Sequence, residues 1–200
     1  MGISVQQFEQ MKARLGGKPA SAASDPIPHR SPLVTRTILG IDPSLRGTGY
    51  GVIRCGKSQS IALDHGTIAC PREWERSRCL AKISQTIRAV LRQHRPEICV
   101  VEGLFFAQNL KTAIVMGEAR GAALAAVGES GVEIFEIATR KVKQAIVGYG
   151  AAQKTAVAKM VQRMLNLADL PAPDAADALA LALAHAQGQS RFSLNPPKRI

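Results

Sequence analysis

The stretch RTILGIDPSLRGTGYGVI, residues 36–53, sets one carboxylate, Asp42, at the end of an apolar run, follows it with a breaker-rich segment, and then resumes its apolar character. Val34, Ile38, Leu39 and Ile41 predict a buried strand, Pro43 and the glycines of 47–51 a turn, and residues 50–53 a returning strand. Asp42 thus belongs at a strand end beside a tight turn. A carboxylate there has two readings. It closes the turn through its own backbone, as Asp before Pro does, or it projects into a cleft as a ligand. Other acids aimed at the same point would decide for the second.

EICVVEG, residues 97–103, repeats the arrangement: a short apolar strand ended by Glu102. If the two strands are sheet neighbours, both carboxylates meet at the edge where open α/β sheets place their sites. PAPDAADALALALAHA then puts Asp174 and Asp177 three apart at a helix start, on one face. Taken alone, that pair reads as a cap, with Asp174 at the N-cap and Asp177 at the third helical position. Four acids on three elements of a basic chain point elsewhere. Crowded carboxylates repel and raise one another's pKa, and are tolerated with bound cations or shared protons. Oxygen ligands without His or Cys select Mg²⁺ or Mn²⁺, and two such ions about 4 Å apart activate water and stabilise the leaving oxygen in phosphodiester hydrolysis.

The bulk properties agree. The chain has 200 residues, 46% of them apolar, enough for one good core. Its 26 Lys and Arg against 15 Asp and Glu leave a net charge of +11, which favours an acidic partner, nucleic acid before an anionic membrane. No apolar run spans a bilayer and the start lacks a secretory signal, so a cytoplasmic protein is expected, with no membrane partner. Cys55, Cys70, Cys79 and Cys99 have no metal-ligand spacing and read as reduced thiols.

Residues 1–35 form an extension: a short amphipathic piece, then a Gly/Pro/Ser/Ala linker. Residues 36–187 form the globular domain, and 188–200 a flexible basic tail. Within the domain, IALDHGTIA is a third strand completing a meander. A helix follows, with Leu80, Ile83, Ile87, Val90 and Leu91 at helical spacing, closed by Pro96. Then come the Glu102 strand, a helix over 109–128, a fifth strand VEIFEIA, and helices near 141–147, 153–167 and 174–185. The expected class is α/β, a mixed five-stranded sheet flanked by helices.

The motifs GIDPSLRGTGYG, VVEGLFFAQN, GEARGAAL, ATRKVKQAIVGYGAAQKTAV and DAADALALALAHA resemble those of RuvC-family Holliday-junction resolvases over residues 36–185. The resemblance implies a ribonuclease H-like fold, a homodimer, and Mg²⁺-dependent paired nicking of four-way junction DNA, with a branch-migration complex of the RuvA/RuvB kind as partner. Asp42, Glu102, Asp174 and Asp177 match the four acidic positions, all present, so activity is expected, with two ions per subunit and Mn²⁺ able to substitute.

Phe105 and Phe106 stand together in a chain with 4% aromatic residues. One should be buried and one outward, the outward one able to stack on an unpaired base. The resemblance makes that Phe105. The basic run 139–159 includes Arg140, Lys141, Lys143, Lys154 and Lys159, and reads as a solvated face or as phosphate contacts. The resemblance selects Lys143 and Lys154 as DNA contacts, with Arg140 beside them. GYGAAQKT is no P-loop, since Gln153 stands where Gly must precede the Lys. His185, two turns past Asp177, reads as structural. Small residues Gly117, Ala119, Gly121 and Ala122 suit close approach of a partner helix in a two-fold dimer. Two alternatives remain at this stage: a related nuclease acting on RNA/DNA hybrid or another nucleic acid, and a non-catalytic DNA-binding module.

Overall fold

The computed structural model describes residues 35–56, 59–103, 109–190 and 197–200. In chain order they form β1 (Arg36–Asp42), β2 (Gly47–Cys55), β3 (Ser60–Ala69), α1 (Arg76–His94), β4 (Ile98–Glu102), α2 (Leu110–Glu129), β5 (Glu133–Ile137), α3 (Thr139–Val147), α4 (Lys154–Leu165), α5 (Pro173–Ser190) and β6 (Lys198–Arg199). The sheet order is β3-β2-β1-β4-β5-β6. The first three strands form an antiparallel meander, β1, β4 and β5 run parallel, and β6 is antiparallel to β5.

Alternation along β1 sorts the core into two layers. Leu39 and Ile41 pack with Ile83, Ile87, Ala123 and Val127 of α1 and α2. Ile38 packs on the other face with Val142, Val157, Val161 and residues 179–184 of α3, α4 and α5. His185 belongs to this second layer, 1% exposed with its ring 4.8 Å from that of Phe135.

Three expectations change. A sixth strand exists: Lys198 and Arg199 pair with Glu136 and Phe135, and Arg199 reaches Glu133 at 2.8 Å. Two residues are too few to carry a periodic signal. The last helix runs to Ser190, beyond the 185 expected.

The third change concerns the glycines of 47–51, which lie in β2 itself and leave Pro43, Ser44, Leu45 and Arg46 as the turn. Their purpose is proximity. A β-carbon on Gly49 would stand 1.9 Å from the Asp174 carbonyl oxygen, one on Gly51 2.7 Å from Leu179, and one on Gly40 of β1 1.9 Å from the Ala178 carbonyl oxygen. The backbone of α5 therefore lies directly on β1 and β2, which no side chain at these positions would permit.

Candidate active site

The two strand ends come together because Ile41 of β1 is in register with Val101 of β4, so Asp42 and Glu102 leave the sheet side by side. Asp42 lies two residues beyond Gly40 and faces α5, where Asp177 completes a small cleft lined also by Thr139, Val142, Lys143, Val157 and Leu181. Burial is the largest cause raising the Asp42 carboxyl to about 8, and the charge and hydrogen bond of Glu102 and the charge of Asp177 add to it. Lys154 opposes the shift. At neutral pH Asp42 thus tends to keep its proton.

Two of the three acids are held by neighbouring side chains. Thr139, at the start of α3, donates its hydroxyl to Glu102 Oε1 at 2.5 Å. Arg120 of α2, 7% exposed, donates to the Glu102 carbonyl oxygen at 2.6 Å and pairs with Glu136 at 2.5 Å, tying the end of β4 to β5. Lys154 Nζ, at the first residue of α4, reaches Asp177 Oδ2 at 2.8 Å, and this bond is the main cause raising its pKa. Neither Thr139 nor Arg120 stands out in the sequence. The available signal for Arg120 was a charge set among small residues.

The turn after β1 is closed by Thr48, whose hydroxyl donates to the Ser44 carbonyl oxygen at 2.5 Å and accepts from the Ser44 N–H at 3.2 Å. That leaves Asp42 to the cleft. The capping reading of Asp174 and Asp177 is corrected: α5 begins at Pro173, whose missing N–H costs nothing there, so Asp174 lies inside the first turn. Asp174 rests over the start of β2, its Oδ2 2.8 Å from where a β-carbon on Gly47 would stand, and it does not line the cleft of the other three acids. Phe105 and Phe106 lie outside the described residues.

Arg140 and Lys143 line a neighbouring concavity of about 680 Å³. Lys143 also lines the acidic cleft, so the two hollows share a wall. Lys154, at the start of α4, engages Asp177 directly.

The acids of the cleft offer oxygen donors, and burial first, then the neighbouring acids, raise Asp42, so the residues fit a hard divalent cation. Among the described residues no three His, Cys, Asp or Glu side chains are grouped closely enough to hold a metal as they stand.

Acids at the ends of two central parallel strands, a three-stranded meander before them and a third acid on the last helix together define a ribonuclease H-like fold of the nuclease type. Residues 38–185 match the family described as Crossover junction endodeoxyribonuclease RuvC. Two curated relatives carry that name: one from Akkermansia muciniphila, 42% identical over 161 residues, spanning 80% of this chain and 93% of the relative, and one from Rubrobacter xylanophilus, 44% identical over 152 residues, spanning 76% and 85%. The solved structure of T. thermophilus RuvC in complex with Holliday junction substrate superposes with a TM-score of 0.74 at 34% identity, covering 82% of this chain and 99% of that one. The chain belongs to the RuvC family of crossover junction endodeoxyribonucleases, hydrolases acting on Holliday junctions in DNA recombination and repair. Among the described residues no helix is long and apolar enough to cross a membrane.

Proposed function

We propose that residues 36–187 form a nuclease domain that resolves four-way junction DNA by paired, symmetric nicks, with Asp42, Glu102 and Asp177 as the catalytic centre and Asp174 joining them. The observation that carries this reading is that Asp42, Glu102 and Asp177 line one small cleft, with Asp177 held by Lys154. Divalent cations, Mg²⁺ or in its place Mn²⁺ and two per subunit, supply activation of the attacking water and stabilisation of the leaving oxygen. Asp42, Glu102 and Asp177 would hold these ions, and Thr139 and Arg120 keep Glu102 in place. Lys154 holds Asp177 until a phosphate competes for its ammonium. Lys143 and Arg140 take the flanking phosphates, and Phe105 stacks near the strand exchange.

Two symmetric nicks need two active sites of opposite strand polarity, which a two-fold dimer presents. The outer face of α2 is the proposed contact. Ala119 is fully buried, in the core cluster with Leu39, Ile83 and Ile87, so it does not lie on the outer face. Gly117, Gly121 and Gly128 have nothing within 4 Å of a β-carbon, and Ile114 is 50% exposed, so the partner-facing stripe runs through these residues. The setting is cytoplasmic, with a branch-migration complex of the RuvA/RuvB kind delivering the junction.

The test is cleavage of a mobile synthetic four-way junction with Mg²⁺, with duplex and RNA/DNA hybrid as controls. Paired nicks in the junction alone are expected. Preferential cutting of the hybrid would favour the related-nuclease reading, and binding without cutting the non-catalytic one.

A further inference from the structure

Tyr149, one of two tyrosines in the chain, lies between Lys143 and Lys154 in the basic run and does not line the acidic cleft. Its side chain is 66% exposed, on a short connection whose backbone is well determined by its neighbours. Gly148 adopts φ 82°, caps α3, and donates its N–H to the Gln144 carbonyl oxygen at 3.0 Å. The Tyr149 carbonyl oxygen accepts from the Ala152 N–H at 3.2 Å. Gly150 lies beneath the Arg140 stem, since a β-carbon there would stand 2.7 Å from Arg140 Cγ. The chain thus holds an apolar ring out in water, between two glycines that fix its place. A ring so placed keeps apolar surface in water, and stacking against it would remove that surface from water.

Its surroundings indicate what does. Tyr149, Arg140 and Lys143 line the same concavity of about 680 Å³, a volume in the range of small-molecule sites. Among the described residues neither cation has an ion-pair partner. Lys143 is the wall shared with the acidic cleft, so whatever occupies the concavity sits next to the group presented to the acids. An aromatic face flanked by unpaired cations suits a nucleotide, because the base offers a π-face and its phosphates the charge.

We propose that this concavity receives one nucleotide of the cleaved strand, adjacent to the scissile phosphate, with its base stacked on the Tyr149 ring and its phosphates on Arg140 and Lys143. The proposal rests on the reading that the chain binds junction DNA. Tyr149 is then a binding residue that sets the register of the cleaved strand in the cleft. Stacking uses the ring and not the hydroxyl, so Phe should serve there and Ala should not.

The experiment places the fluorescent base analogue 2-aminopurine, one position at a time, on either side of the cleavage site of a synthetic junction, and measures its emission on binding in EDTA. With wild-type protein, emission is expected to fall at one position. Y149A should restore it there, weaken junction binding about tenfold and blur the cut position in Mg²⁺. Y149F should behave as wild type. Equal melting temperatures of the three proteins exclude a folding effect, which exposure of the side chain already predicts. If wild type binds the junction and Y149A shows the same emission profile and cut position, the stacking role is overturned while junction binding stands. If wild type fails to bind the junction at all, the underlying reading falls, and this proposal with it.

Discussion

Asp42 is the residue in which the acid cluster is most plainly visible. Its ordinary value of 3.8 is raised to about 8 by burial and by Glu102 and Asp177. An unfolded chain releases that proton above about pH 4, whereas the folded chain keeps it until about pH 8, so folding stability in EDTA falls as pH rises through this window. Asp42→Asn keeps the neutral form permanently. It should raise the melting temperature in EDTA near pH 8, with little change near pH 4, while saturating Mg²⁺ stabilises the wild type alone. Identical wild-type melting curves in EDTA and Mg²⁺ would remove the case for clustering. The same change, and Glu102→Gln or Asp177→Asn, should lower nicking by at least about a hundredfold with junction binding intact or stronger, because a negative charge facing phosphate is lost. Wild-type nicking rates in any of the three would sink the assignment. Lys143→Ala should weaken binding to all junction sequences alike and reduce the salt slope by about one, as a lost phosphate contact does. A loss restricted to one sequence context would mean base reading instead.

At the scale of elements, the decisive contact is α5 on the glycine-lined faces of β1 and β2. Because a β-carbon on Gly49 would meet the Asp174 carbonyl oxygen at 1.9 Å, Gly49→Ala must lift the helix or bend the strand. We expect a loss of at least about 2 kcal/mol in denaturant unfolding, together with weakened cleavage, since α5 carries both Asp174 and Asp177. Gly117→Ala on α2 makes the contrast: the new methyl meets nothing within 4 Å, and helix propensity alone predicts a gain of up to about 1 kcal/mol. Equal effects at the two positions would show that backbone proximity is not what the strand glycines serve.

At the scale of the whole molecule, two symmetric nicks ask for two active sites. A +11 charge opposes association of copies, so the contact between them must be local and closely packed. Gly121→Lys places a long charged chain on the outer face of α2 without touching the protein's own core. A folded monomer that nicks one strand or none is expected by sedimentation and by counting cuts per junction. A wild type that is monomeric both free and on the junction, yet makes paired nicks, would refute the dimer.

Local pattern in the sequence determined the elements and the candidate acids: the apolar runs ending in Asp42 and Glu102, the helical spacing of Leu80 to Leu91, and the pair Asp174 and Asp177 three apart. These signals are legible because burial imposes a period on neighbouring residues. Tertiary structure alone decided which readings applied. Asp42 was also compatible with closing its turn until Thr48 took that role, and Asp177 with capping until Lys154 engaged it. The glycines of 47–51 look like turn residues from sequence, since a residue chosen for flexibility and one chosen for lack of a side chain are the same residue. Only the approach of α5, contributed from the far end of the chain, distinguishes them. Ala119 and Gly121 are likewise both small, but one is buried in the core and the other exposed. Such choices depend on contacts between residues remote in sequence, and a local period carries no record of its distant partner.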